Sequence, residues 1–485
     1  MSTPVEEFFN HINGEWVRSR SGRTFDNINP ADTRENLGRF QASASADAEA
    51  AVGAAAAAFE GWRKTPISQR AKVLNKAADY LEANADRFGE ELTREEGKSK
   101  ALGRDEFLRA AQTFRFYAME SQTFGGETYP QDDPEMQVYS QREPLGVVTV
   151  ISPWNFPASI PARKIAPALA MGNTVVFKPS SDAPLSGLRL TEALVQAGLP
   201  KGVLNFITGR AGDVGPIITT SRAICAISFT GSTQAGMHIQ RTVHLTTRLQ
   251  MELGGKNPLI VMEDADLDLA VDLAVKGGFS LTGQACTGTS RLIVVSAVKA
   301  AFTQKLLARV QQLKIGPGLT PGMDLGPLAT EKQLQTVLSY IEIGQGEATL
   351  LCGGERLSGG VYEHGYYVSP AVFDGVKPGM RIAREEIFGP VLAIIEASDF
   401  TDAMAKANDS EYGLSAAIAT RNPKYMHAFA QDIQSGTVKI NRTTTGNLVN
   451  APFGGVKNSS TSTFRESGRV GMEFFTQTKI VYRAA

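Results

Sequence analysis

Between Ala46 and Met119 apolar residues recur every three or four positions with charged residues between them, in the stretches Ala46–Trp62, Ile67–Phe88 and Glu91–Met119. That period predicts amphipathic helices. Near Gly125 the texture changes, and GGETYPQDDPEMQVYSQREPLG is rich in turn formers, as in a crossing segment or protrusion. From Gly146 short apolar runs alternate with helical stretches: VVTVIS (Val147–Ser152), a helix over Ala162–Met171, TVVFKP (Thr174–Pro179), a helix over Leu185–Ala197, VLNFITG (Val203–Gly209) and AICAISFTG (Ala223–Gly231). Such βαβ alternation predicts an α/β fold with a doubly wound, largely parallel sheet. A second α/β set runs from about Pro258 to Asn441, with strand candidates LIVM, LIVV, VLAII and GTVKIN, and TQTKIVYRA (Thr476–Ala484) is a final strand.

Length and charge narrow the class. A chain of 485 residues is expected to form two to four units. Lysine and arginine number 49 against 50 acidic residues, which favours neither nucleic acid nor an anionic membrane and fits a small-molecule ligand. Three cysteines without a CxxC pair argue against a disulfide framework, and five histidines without ligand spacing give no metal site. No run of 18 apolar residues is present and MSTPVEEFF lacks the pattern of a secretory leader, so a cytoplasmic soluble protein is expected.

Four segments carry candidate chemistry. Cys286 lies in GQACTGTS, whose glycines and threonines make a tight polar loop able to present a sulfur to a cleft. A thiol attacks as thiolate, and a lone cysteine is more often a small buried hydrophobe, the reading given to Cys225 and Cys352. Glu252 precedes a glycine pair in MELGGKN, where a carboxylate can act as a base toward water, although most glutamates are solvated. SPWNFP (Ser152–Pro157) follows a strand, and Asn155 offers an amide to a developing oxyanion or, more plainly, to its own turn. FTGSTQAG ends a strand at Gly231, with Gly236 opening the next helix, a fair setting for a pyrophosphate at a helix N-terminus. KPSS (Lys178–Ser181) ends the neighbouring strand, and EEIFGPV (Glu385–Val391) has no clear physical reading alone.

Together PWNFP, KPSS, FTGST, MELGGKNP, GQAC, EEIFGPV and APFGG resemble, in order and approximate spacing, the aldehyde dehydrogenase superfamily over nearly the whole chain. The resemblance implies a Rossmann-like cofactor domain (1–125 and 143–252), an α/β catalytic domain (253–450) and a β oligomerisation arm (126–142 and 470–485), hence a homodimer or homotetramer. It implies Cys286 as nucleophile, Glu252 as general base, Asn155 as oxyanion donor and Lys164 near the catalytic centre. It gives the cofactor Ser152, Pro153, Trp154, Lys178, Ser180, Ser181, Gly231, Ser232, Glu386 and Phe388. The implied reaction oxidises an aldehyde to an acid through a thioester, and Glu252 favours hydrolysis over transfer to coenzyme A.

Two departures bear on specificity. Relatives preferring NAD often carry glutamate at the position of Ser181; without it, Lys178, Ser180 and Ser181 can donate to a 2′-phosphate, so NADP is expected to be accepted beside NAD. Arg163, six residues past Pro157, falls where semialdehyde-oxidising members carry arginine, and a guanidinium suits a distal carboxylate. Succinic semialdehyde enzymes tend to have a second arginine where this chain has Ser280. Phe156, Arg442 and Asn447 complete the expected substrate set. GQACTGTS with NRTTTGN and KNSSTSTFRE is most similar to members acting on 2-oxoglutaric semialdehyde (2,5-dioxopentanoate), the alternatives being succinic semialdehyde or a broad range of aldehydes. A cysteine hydrolase is the remote alternative, since no histidine lies in any motif; no GxxxxGK[ST] occurs, which excludes a P-loop phosphotransferase.

Overall fold

The computed structural model describes residues 5–461 and 464–484. The amino-terminal half is built on a seven-stranded sheet. Its strands are β1 (Asn10–Ile12), β2 (Glu15–Val17), β5 (Val147–Ile151), β6 (Thr174–Lys178), β7 (Leu204–Phe206), β8 (Ile224–Thr230) and β9 (Arg248–Glu252). A separate hairpin arm intervenes in the chain, β3 (Thr128–Tyr129) and β4 (Met136–Pro144). The sheet order is β9-β8-β5-β6-β7-β1-β2, parallel from β9 to β7 and antiparallel at the β1 and β2 edge.

Side chains on successive residues of β5 serve opposite cores. Val148 and Val150 pack with α2 (Ile67–Ala83), α3 (Ala85–Glu96), α4 (Lys100–Glu120), α5 (Ser159–Ala170) and α6 (Pro184–Gln196), whereas Val147 packs with α1 (Ser45–Arg63) and α7 (Ala211–Thr220). A strand buried on both faces has no polar side to show, which is why these runs are continuously apolar.

A second seven-stranded sheet repeats the plan: β10 (Asn257–Val261), β11 (Thr289–Val295), β12 (Thr349–Cys352), β13 (Ala371–Asp374), β14 (Val391–Ala397), β15 (Ser415–Ala419) and β16 (Thr437–Ile440), in the order β12-β13-β14-β11-β10-β15-β16. All its pairs are parallel except β12 with β13. The final strand β17 (Thr476–Ala484) pairs antiparallel with β4 along nine residues, in a three-stranded sheet closed by β3. Among the described residues no helix is long and apolar enough to cross a membrane.

The structure departs from the sequence reading at several points. Four short strands precede the first helix, two in the sheet and two in a hairpin at Thr24–Ile28 and Asn36–Gln41. The expected Ile67–Phe88 helix breaks at Asn84, and the Glu91–Met119 helix breaks at Gly97, where φ is +97° and an added Cβ would lie 2.6 Å from the Pro327 ring. Gly236 does not open its helix; α8 (Thr233–Thr242) begins earlier, capped by Ser232 Oγ accepting from Ala235 N. Cys225 and Cys352 are half-buried rather than buried. Ser462 and Thr463 of KNSSTSTFRE lie outside the described residues.

Candidate active site

Strands of a parallel sheet point their carboxyl ends the same way, and ligands gather there. The 152–157 turn follows β5, Lys178 ends β6, Gly231 follows β8 and Glu252 ends β9. The second sheet brings its contribution from the amino end of β11, because Cys286 lies just before Thr289. The preceding turn is strained: Leu281 and Thr282 have φ of +55° and +53°, conformations that cost non-glycine residues free energy. Tertiary bonds hold it there. Thr282 Oγ1 donates to Gly326 O (3.0 Å), and Gln284 Oε1 accepts from Ala329 N (2.9 Å). Asn257 Nδ2 donates to both Cys286 O and Gly288 O, each at 2.8 Å, while its Oδ1 accepts from Ser415 N (3.0 Å).

A cavity of about 230 Å³ opens on this turn. Of the expected residues, Cys286, Glu252, Phe156, Arg163, Ser280 and Asn447 line it. Arg163 Nη2 donates to Asn447 Oδ1 (2.8 Å), which aims the guanidinium. Arg442 is exposed and does not line the cavity, so the structure does not bring it to the site. Asn155 is buried outside the lining; its Nδ2 donates to Gln284 O (2.9 Å), two residues before Cys286, leaving one N–H of the amide over. No histidine lines the cavity among the described residues.

Four charged lining residues escaped the sequence reading: Lys98, Glu106, Arg109 and Glu466. Glu466 is buried and pairs with the buried Lys164, whose Nζ also donates to Ser228 Oγ (3.1 Å). Glu466 ends the segment KNSSTSTFRE, but its lysine partner lies 302 positions away in the chain. Glu252 accepts from Ser460 Oγ (3.2 Å) at Oε1, while its Oε2 is buried without a partner. Burial first, then the Glu466 carboxylate, raises the Glu252 carboxyl well above the usual range, and Lys164 opposes that shift. Burial, reinforced by Glu386 and Glu252, pushes the Cys286 thiol up to about 12; Arg163 works against it.

The adjoining face has groups suited to a nicotinamide dinucleotide. Ser152 Oγ is buried without a hydrogen-bond partner. Lys178, lowered to about 8 by burial, donates to Pro179 O (3.1 Å) and has further N–H groups to offer. Glu386 accepts from Gly255 N (2.8 Å), and burial raises its carboxyl to about 7. Trp154 and Phe388 meet edge to face at 5.4 Å. Phe388 has φ of +58°, a strained turn held by Gln333 Nε2 donating to Ile387 O and Phe388 O. Ser181 Oγ donates to Gly209 O (2.9 Å) and Ser180 Oγ to Asp182 Oδ2 (3.2 Å), so this turn also holds a carboxylate. Gly231 N is already used, donating to Glu252 O (3.1 Å). Pro153 is half-buried and Ser232 exposed.

A thiol and a carboxylate in one cavity serve covalent chemistry on a carbonyl, and the neighbouring groups fit a hydride acceptor. The class they define is a nicotinamide-dependent oxidoreductase. Residues 16–481 match the aldehyde dehydrogenase family. The chain is 43% identical over 475 residues to an alpha-ketoglutarate semialdehyde dehydrogenase of Haloferax volcanii, covering 98% of each chain. It is 43% identical to an alpha-ketoglutaric semialdehyde dehydrogenase of Bacillus subtilis (99% of each) and 42% identical to a 2,5-dioxopentanoate dehydrogenase of Saccharolobus solfataricus (96% and 98%). Among solved structures it matches betaine aldehyde dehydrogenase of Staphylococcus aureus in complex with NAD+, with a TM-score of 0.95 at 34% identity over 98% of this chain and 94% of that one. It also matches 3,6-anhydro-L-galactose dehydrogenase in complex with NADP, with a TM-score of 0.94 at 34% identity over 98% and 100%. The chain belongs to the aldehyde dehydrogenase family and is an NAD(P)-dependent enzyme of that chemistry.

Proposed function

We propose that the enzyme oxidises a semialdehyde acid, 2-oxoglutaric semialdehyde, to the dicarboxylic acid by way of a thioester on Cys286. The observation that carries this reading is Arg163, aimed by Asn447, in the same cavity as Cys286 and Glu252. A guanidinium there meets a distal carboxylate in a partly dry space, where a charged pair gains most. The names of the Haloferax, Bacillus and Saccharolobus relatives support the same substrate.

Cys286 loses its proton to solvent, and its sulfur adds to the aldehyde carbon. The carbonyl oxygen becomes an alkoxide, and the spare N–H of Asn155 with the backbone N–H of Cys286 holds that charge. A nicotinamide dinucleotide held on the adjoining face would supply the hydride acceptor, and loss of hydride from the adduct leaves the Cys286 thioester. Glu252 then takes a proton from water, whose oxygen attacks the thioester carbon and releases the acid and the free thiol. Lys178, Ser180, Ser181 and Glu386 hold the riboses, Ser152, Gly231 and Ser232 lie along the cofactor, and Pro153, Trp154 and Phe388 wall the nicotinamide end. Asp182 beside Ser180 tempers the attraction for a 2′-phosphate, so use of both cofactors, with NADP accepted, is the reading adopted.

We propose a division into a cofactor domain (1–125 and 143–252), a catalytic domain (253–450) and an arm (126–142 and 470–485), a reading supported by the two sheets and the β4–β17 ribbon. The arm exposes Tyr482 and Ile480, apolar side chains suited to a second copy, and a cytoplasmic homodimer or homotetramer completes the proposal.

Initial rates of NADPH and NADH formation test the substrate. A panel of 2-oxoglutaric semialdehyde, succinic semialdehyde and uncharged aldehydes is expected to favour the first. Arg163→Leu is expected to lower kcat/KM for the acidic aldehydes roughly 10- to 100-fold, the scale of a lost charged hydrogen bond, and to spare uncharged ones. An unchanged preference contradicts the anchor. NADPH formation untouched by Ser181→Glu contradicts the cofactor argument.

A further inference from the structure

The turn that carries Asn155 has little backbone support. Among the described residues no backbone–backbone hydrogen bond of turns and loops involves Pro153, Trp154 or Asn155. An oxyanion donor must nevertheless hold its place to a fraction of an ångström. The missing support comes from a buried charged pair that the proposed chemistry does not use.

Lys98 follows the Gly97 break between α3 and α4 and is 3% exposed. Its Nζ donates to Asn155 O (2.8 Å) and to Glu106 Oε2 (2.5 Å), and lies 4.7 Å from the centre of the Phe156 ring. Those partners account for the three directions of an ammonium. The other oxygen of Glu106 accepts from Ala158 N (2.9 Å) and Ser159 N (3.1 Å), two N–H groups at the start of α5 that no turn of helix satisfies. One ion pair from the α3–α4 corner therefore grips Asn155, Phe156, Ala158 and Ser159. Glu96 adds a second carboxylate, 3.8 Å from Lys98 Nζ.

Burying such a pair costs desolvation, and replacing it with apolar side chains often leaves stability equal or higher. Stability is thus a weak reason for it to be there. We propose that Lys98 and Glu106 are positioning residues for the reaction: they hold the Asn155 peptide and the first turn of α5, and so fix the oxyanion donor against the Cys286 turn. The proposal rests on the reading of Asn155 as that donor.

A double-mutant cycle on the full-length enzyme tests it. Lys98→Met and Glu106→Gln, singly and together, are made in the parent and in Asn155→Ala. The readouts are kcat, aldehyde KM, NAD(P)+ affinity by fluorescence, and Tm. Removal of an oxyanion donor costs about 10²- to 10³-fold in kcat. Lys98→Met is expected to lower kcat roughly 10- to 100-fold in the parent, with cofactor affinity within about 2-fold, and to cost less than about 3-fold once Asn155 is alanine. Equal loss in both backgrounds, or parental kcat in the Lys98 variants, overturns the proposal. Parental kcat in Asn155→Ala alone instead overturns the donor reading. If Lys98→Met does not fold, Glu106→Gln, which keeps its shape and an oxygen for the two N–H groups, and the double variant go through the same cycle under the same criteria.

Discussion

Burial pushes both Cys286 and Glu252 toward the form opposite to the one their proposed roles need. Burial keeps the thiol protonated and raises the carboxyl, whereas attack needs a thiolate and water activation needs a carboxylate. For a base whose pKa is raised, the active fraction grows as pH rises, so the rate should climb through the neutral and alkaline range. Glu466 is one cause of the Glu252 shift and also the partner of Lys164. Glu466→Gln removes the like charge and frees Lys164 to favour the Glu252 carboxylate; both effects lower its pKa. The rising limb of kcat is therefore expected to move to lower pH by roughly half a unit or more, the scale of a neighbouring charge. Initial rates from pH 6 to 10 check this, and an unmoved or upward limb contradicts it. Cys286, Glu252 and Asn155 were legible because each lies in a compact motif, while Glu466, Lys98 and Glu106 acquire meaning only from partners distant in sequence.

Elements turn those residues toward one another, and Asn257 shows how. At the start of β10 its amide bonds two carbonyls of the Cys286 turn and, through Oδ1, the first residue of β15. Asn257→Ala leaves buried groups on both sides without partners, each costing about 1–3 kcal/mol. A fall in unfolding free energy of about 2–4 kcal/mol is expected, with slower alkylation of Cys286 kinetics measured beside denaturant melts; parental stability contradicts the clamp. The apolar runs announced β5, β6, β8, β11 and β14 because both faces of each are buried. The strands β1 and β2 were missed, being three residues each: β1 buries the polar Asn10 and His11, and the edge strand β2 exposes Glu15 and Trp16. The strain at Leu281 and Thr282 had no signal, since neither is a glycine and only tertiary bonds impose it.

At the scale of the molecule the cavity is a joint product of the two sheets. The first contributes Glu252, Phe156 and Arg163, the second Cys286 and its turn, and the carboxyl-terminal segment adds Glu466. The two α/β sets were readable from their periodicity; their mutual placement was not, because it depends on contacts such as Gly326 against Gly97 O, where a Cβ has no room. If the assembled site works as proposed, oxidation and hydrolysis are separable, the first needing Cys286 and the second Glu252. The most direct test is intact-protein and peptide mass spectrometry of Glu252→Gln mixed with NADP+ and 2-oxoglutaric semialdehyde. The account predicts a burst of NADPH of about one equivalent per site and an acyl adduct on the peptide containing Cys286. Steady turnover with no adduct, or an adduct on another residue, contradicts it.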